Sequence, residues 1–228
     1  MSAHSGLYPR PDARDKSHKR GGTMHGLFFE MQPKDGHLPQ YFAHVDRLRP
    51  ILAQHKGLAY LERFGAVENP DQILSHQLWQ TEADILAWRQ DAQHRRSQYA
   101  GISTHFADYR IRVGERVAHW QQGQTVHSSL PQPDARLLLA IYGPAPCTSA
   151  QYHAYESFTN RGHFLSLASF DAPGAAHAAL IAQAGQGATQ ASIFAIARDY
   201  GQFDRAEAPT TTAQSPAALP APLPAPRP

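Results

Sequence analysis

The sequence predicts an α+β fold, an antiparallel sheet with helices on one face in the order β-α-β-β-α-β. Three observations predict it. Residues 25–31, 58–64 and 73–79 form short apolar runs, largely alternating, with strand periodicity. Between them lie segments whose apolar residues recur at helical spacing, set off by Pro- and Gly-containing turns. After residue 134 a similar succession returns in weaker form.

The elements follow in order. His25-Gly26-Leu27-Phe28-Phe29-Glu30-Met31 reads as a strand, and Pro33-Lys34-Asp35-Gly36-His37 as a turn. From Leu38, the residues Phe42, Val45, Leu48, Ile51 and Leu52 mark one helical face, and Lys56-Gly57 stops the helix. Leu58 to Phe64 is a second strand, Glu68-Asn69-Pro70-Asp71 a turn, and Ile73 to Trp79 a third strand. Thr81 is placed to cap a helix that opens with Glu82 and Asp84, acidic residues suited to the positive end of the helix dipole. That helix is expected to run to about Gln98. A long strand from His105 to Trp120 closes the unit, with Tyr109, Ile111 and Val113 on one face. This is the ferredoxin-like split βαβ arrangement.

A polar linker, 121–134, precedes the weaker copy at 135–205. Its expected parts are a strand at 136–142, a short helix at 149–159, a strand at 163–170, an Ala-rich helix at 174–183 and a strand at 191–200, with the second strand of the unit missing or merged near Arg161. A four-stranded sheet with helices on one face leaves its other face bare, and two such sheets can cover each other. The chain is therefore expected to form a pseudo-dimer within itself. A homodimer of whole chains stays open.

Composition bounds the function. Apolar residues make up 42% of the chain and charged residues 18%, which supports a packed core. Residues 1–23 and 206–228, basic and Pro/Ala-rich respectively, are too poor in large apolar side chains to offset ordering entropy and are expected to be disordered tails. Part of the basicity sits in the first tail (Arg14, Lys16, Lys19, Arg20), which argues against a nucleic-acid footprint on a folded face. One cysteine, Cys147, leaves no intrachain disulfide framework or Cys-based zinc site, and it is expected to be inert. No apolar run is long enough to span a membrane and no secretory signal is visible, so a cytoplasmic location is expected. The 14 histidines are scattered without metal-binding helix spacing, so no metal is expected, and no dinucleotide or phosphate-loop motif is present.

The residues with most chemistry lie between Phe28 and Tyr109. Trp88 is either the wall of a cavity between helix and sheet or a core residue that pins the helix, since Trp buries much area. Trp79 reads as the corner between strand and helix. His94 is a candidate acid/base, its ordinary pKa being near neutrality, or an exposed helix end with Arg95 and Arg96. His76 alternates with Leu74 and Leu78, so it is either a core histidine or a buried base or heme ligand. Arg63, Arg110 and Arg112 could reach a cavity and hold an oxyanion, or pair with a carboxylate such as Glu62 or Glu115. Phe28, Tyr60, Leu78 and Tyr109 are candidate walls for a substrate pocket, with packing as the alternative.

An ordered set of residues resembles the antibiotic biosynthesis monooxygenase family of dimeric α+β barrels. It comprises Phe29-Glu30, Pro33-Lys34-Asp35-Gly36-His37, Leu48-Arg49-Pro50, Gly57-Leu58, Glu62-Arg63-Phe64, Leu78-Trp79, Ala87-Trp88-Arg89, His94 and Phe106 to Ile111. The likeness covers roughly residues 25–120. It implies cofactor-independent oxidation of a small aromatic or polyketide-like molecule in an apolar pocket. The heme-degrading branch of that superfamily is the alternative, with heme as cofactor. Its tryptophan has a counterpart in Trp88, but Phe28 or Phe29 stands at its asparagine position and Gln98 at its histidine position. A non-catalytic small-ligand-binding barrel is the third reading. Because the second copy is Ala-rich and poor in His and Arg, only the first is expected to keep a pocket.

Overall fold

A computed structural model describes residues 23–209, apart from 122, 128 and 130. The expected tails fall almost wholly outside these residues, but 206–209 are described and tied down. Glu207 pairs with Arg136 at 2.8 Å and accepts from the Asp199 backbone N–H at 2.7 Å.

The strands are β1 (His25–Pro33), β2 (Leu58–Ala66), β3 (Ile73–Trp79), β4 (Phe106–Gln121), β5 (Gln124–His127), β6 (Leu137–Gly143), β7 (His153–Ser157), β8 (Phe164–Phe170) and β9 (Gln190–Gly201). The helices are α1 (Leu38–Leu52), α2 (Glu82–Gln90), α3 (Ala92–Ala100) and α4 (Pro173–Ala184), with a π-helical turn at Gly101–His105. The sheet runs β1-β3-β2-β7-β8-β6-β9-β4, and the β1–β4 pairing closes these eight strands into an antiparallel barrel. β5 turns back and pairs antiparallel with Ala118–Gln121 at the end of β4. The first half contributes the order β4-β1-β3-β2 and the second β9-β6-β8-β7. They join along β4–β9 and along the shorter β2–β7 seam.

Strand alternation divides the core into an inside and two outsides. Phe28, Phe64, Leu74, Leu78, Leu138, Ala140, Tyr142, Leu165 and Phe194 point into the barrel and pack together. Leu137, Leu139 and Ile141, the intervening residues of β6, pack outward under Ala176 and Leu180 of α4. On the first half, Met31, Ile73 and Tyr109 pack under Tyr41 and Val45 of α1, and Leu61, Trp79 and Val113 under Leu52, Ile85 and Trp88.

Several expected elements differ. Residues 149–159, expected as a helix, contain strand β7, and the segment that would match α1 is a loop from 144 to 152. The repeat thus lacks its first helix and keeps its second strand. β7 exists because β2 and β8 flank it and take up its backbone hydrogen bonds, a pairing no local window reveals. The helix expected over 82–98 is two helices. Thr81 caps the first by accepting from Asp84 N at 3.1 Å. Asp91 leaves helical geometry (φ −54°, ψ 132°) and caps the second by accepting from Gln93 N and His94 N, both at 2.9 Å. The expected linker holds β5, turned back on β4 through Gly123, whose φ of 79° suits glycine. Among the described residues, no helix is long and apolar enough to cross a membrane.

Candidate functional site

A cavity of about 180 Å³ lies between the outer face of the first-half sheet and helices α1, α2 and α3. For comparison, an apolar cavity of about 150 Å³ can hold one benzene ring. Cross-strand register sets its floor. One row runs Arg63–Ser75–Phe29–Ile111–Tyr200 across β2, β3, β1, β4 and β9. The next runs Leu61–Gln77–Leu27–Val113–Arg198. The central residues are uncharged, and the charged ones, Arg63 and Arg198, sit at the edges.

Helix α1 supplies Tyr41, His44, Val45, Leu48 and Leu52 to the roof, and α2 and α3 supply Trp88, Arg89, His94, Ser97 and Gln98. Trp88 is only 4% exposed and packs with Leu52, Leu61, Trp79, Ile85 and Val113. It is therefore core on one side and cavity wall on the other. Its indole stacks on the His94 ring at 3.9 Å and 12°. In one continuous helix, positions six apart lie on different faces; the break at Asp91 turns α3 so that His94 folds back onto Trp88. The His94 Nδ1–H donates to the Trp88 carbonyl at 2.9 Å, since a carbonyl can only accept. Nε2 then carries the lone pair, with the Gln98 amide nitrogen 3.5 Å away. Burial lowers the His94 pKa to about 4, so the ring is neutral at pH 7. His44, bonded to Ser97 Oγ at 3.0 Å, is held at about 4 by burial, Arg47 and His105.

Gly101 lies at the cavity's edge as the π-helical turn begins. A Cβ there would sit 2.4 Å from the Phe106 ring, so glycine lets this turn close on the sheet.

The candidates divide by strand face. Trp88, His94, Arg63 and Tyr109 line the cavity. Arg63 Nε donates to the Tyr41 hydroxyl at 3.2 Å. Phe28, Tyr60, Leu78 and His76 do not line it. The expectation that these four shared a pocket with Trp88 is corrected by the pleat, which turns them into the barrel. His76, expected as either a core histidine or a buried base or heme ligand, has 0% exposure and stacks on Phe28 at 4.2 Å. Its Nδ1–H donates to the Leu27 carbonyl at 3.2 Å, and Nε2 has no partner. The Tyr60 hydroxyl donates to Glu62 at 2.6 Å. Arg112 pairs inside the barrel with Glu30, which also accepts from the Tyr155 hydroxyl at 2.9 Å, and Arg110 pairs with Asp199. Burial raises the Cys147 thiol pKa, and its Sγ lies 3.2 Å from Gln183.

Sequence reasoning missed His44, Tyr41, Arg89, Arg198, Tyr200 and Arg205. Tyr41 stands on the Val45–Leu48–Leu52 stripe, four residues before Val45, and could have been found by spacing. Arg198, Tyr200 and Arg205 come from β9 and the segment after it. The cavity lies on the sheet of the first half, the half expected to keep a pocket, and the β4–β9 seam adds residues of the second half at one end of it. Among the described residues, no group of three or more His, Cys, Asp or Glu side chains is placed to hold a metal ion.

A helix-roofed cavity on the outer face of an antiparallel α+β barrel defines the class. Residues 24–99 match the antibiotic biosynthesis monooxygenase family model. A jasmonate monooxygenase from Pyricularia oryzae is 32% identical over 95 residues, which span 42% of this chain and 44% of that protein. The match thus spans less than half of the curated relative. Among solved structures, an aldoxime dehydratase is similar at a TM-score of 0.42 and 8% identity, covering 86% of this chain and 88% of that one. An anthrone oxidase-like protein is similar at 0.38 and 10% identity, covering 82% and 96%.

Proposed function

We propose that the cavity under α1, α2 and α3 is the active site of a monooxygenase that oxidises a small aromatic or enolisable molecule without a cofactor. The observation that carries this reading is the cavity whose wall includes the stacked Trp88–His94 pair, with Arg63 at its edge. The match of residues 24–99 to a monooxygenase family model supports it. A substrate that loses a proton to become a phenolate or enolate can itself pass electrons to dioxygen. For a methylene centre the balance is CH2 plus O2 giving C=O plus H2O, with one oxygen atom retained and the other leaving as water. His94 Nε2, neutral and carrying a lone pair, takes the proton. Arg63 faces the oxyanion, and Trp88 stacks on the ring.

The repeated strand orders also support reading the chain as an intrachain counterpart of a ferredoxin-like dimer, with β4–β9 and β2–β7 in place of an intermolecular interface.

The test is oxygen uptake by the purified protein with hydroquinone-type and anthrone-type substrates, and with jasmonate. The expected preparation is colourless and consumes one O2 per substrate. Trp88→Phe should retain the fold and lower turnover roughly 10-fold, the scale of one aromatic contact of about 1.4 kcal/mol. Unchanged turnover in Trp88→Phe and His94→Gln together would remove this site assignment. A saturable one-to-one Soret spectrum on adding hemin would overturn the cofactor-free reading.

A further inference from the structure

The cavity wall has a charge asymmetry. Five arginines line it, Arg49, Arg63, Arg89, Arg198 and Arg205, while no Asp or Glu lines it among the described residues. Three of the five gather at one end. Arg89 comes from α2, Arg198 from β9, and Arg205 from the segment that follows β9. All three lie close enough to Tyr200 to favour its ionised form, against the burial that raises its pKa overall. Arg205 donates to the Tyr109 hydroxyl and lies 5.9 Å over the Tyr200 ring. Arg89 donates to the Pro209 carbonyl at 3.3 Å. These acceptors are neutral. Arg198 pairs with Glu82, outside the cavity, and its Nε is buried without a partner. The end of the cavity therefore carries more positive charge than its own carboxylates balance.

Arg89 and Arg198 are half-buried and Arg205 is exposed, so their mutual repulsion is screened by water only in part. An anion would complete this arrangement, and guanidinium groups match carboxylates in a bidentate, planar way. Between this end and Arg63 the floor row is Ser75, Phe29 and Ile111. Arg63 and Tyr200 are four strand spacings apart, about 19 Å along the sheet. One small ligand cannot be held by both ends through short contacts, so the two cationic ends have separate tasks.

We propose that Arg89, Arg198 and Arg205 form a carboxylate seat, and that the ligand of this cavity is an apolar ring or chain ending in a carboxylate. This rests on the reading of the cavity as a substrate site. It adds that the second half of the chain selects the substrate: the acid group is held on β9 and the segment 201–209, and the apolar body reaches toward Trp88. No covalent step occurs at this end.

The experiment is calorimetric binding to the full-length protein of three probes: 3-phenylpropanoate, its methyl ester and 3-phenylpropylamine. The acid should bind at least 10-fold more tightly than the ester, and the amine should not bind measurably. Arg205→Gln and Arg89→Gln should each weaken the acid by roughly 10-fold while leaving the ester unchanged, collapsing the acid-to-ester ratio. A merely structural role would shift both ligands equally, and melting curves of the variants report the fold separately. Equal affinity for acid and ester, with Trp88→Phe weakening both, would overturn the carboxylate seat and leave the proposed site standing. No binding of any probe up to millimolar concentration would overturn the seat, and oxygen uptake would then decide the monooxygenase reading by itself. Acid preference persisting unchanged in both arginine variants would also overturn the seat.

Discussion

His76 offers the sharpest quantitative test, because its burial couples stability to pH. The ring is wholly enclosed among Phe28, Tyr60, Tyr142 and Phe194, at centroid distances of 4.2, 5.5, 6.1 and 6.1 Å. Its one hydrogen bond is to the Leu27 carbonyl, and Nε2 is unpaired. Burial lowers its pKa from 6.5 to about 3, overcoming the Leu27 bond and the Glu62 charge, which act upward. The folded state therefore holds His76 neutral while the unfolded chain binds a proton below pH 6.5. The unfolded state has more protons between these two values, so stability is full above about pH 6.5 and falls as pH drops toward 3. At pH 4.5 the loss from this residue alone works out to about 3 kcal/mol. His76→Phe removes the titrating group and the unpaired Nε2 while keeping a ring of similar size. The assay is urea unfolding of wild type and variant at pH 7.5, 6.0, 5.0 and 4.5. His44 and His94 also lose stability over this range, but they are common to both proteins and cancel in the difference. The variant should gain on the wild type by about 3 kcal/mol between pH 7.5 and 4.5. A difference that stays constant within about 0.5 kcal/mol would refute the claim that this ring is neutral and buried in the folded barrel.

Two other predictions concern the seams and the barrel interior. In Gly114→Ala the new Cβ would lie 2.5 Å from the Ala195 carbonyl oxygen across β4–β9, and backbone atoms yield little, so a loss of about 1–3 kcal/mol is expected from urea melts; a loss under about 0.5 kcal/mol would mean that the seam is looser than described. Glu30→Leu should cost about 3–5 kcal/mol because it strands the buried Arg112, whereas Glu30→Leu with Arg112→Met should recover most of that loss. Additive effects in this pair would show that the two charges do not stabilise each other.

The first-half fold was legible because its signals are local. β1, α1, β2 and β3 each carry their own periodicity, and Thr81 and Asp84 mark a helix start by a hydrogen bond within three residues. The alternation of Tyr109, Ile111 and Val113 placed those side chains together, and all three line the cavity. The break at Asp91 was also written locally, as an Asp followed by its own capping contacts, yet a continuous helical stripe through Trp88 obscured it.

What the sequence by itself determined was the set of amphipathic elements and the residues with reactive side chains, because periodicity and capping depend on neighbours along the chain. It could not decide which face of a strand became barrel interior and which became cavity floor. Phe28 and Phe29 are adjacent and equally apolar, yet one stacks on His76 inside the barrel and the other floors the cavity. That choice follows from closure: once β2 meets β7 and β4 meets β9, one face of every strand must be enclosed. Closure also turned residues 153–157 into a strand and brought Arg198, Tyr200 and Arg205 to a site nearly a hundred or more residues earlier in the chain. Pairing between distant strands satisfies backbone groups that no local sequence can satisfy, so tertiary structure alone decided where the cavity lies and which charges stand at its ends.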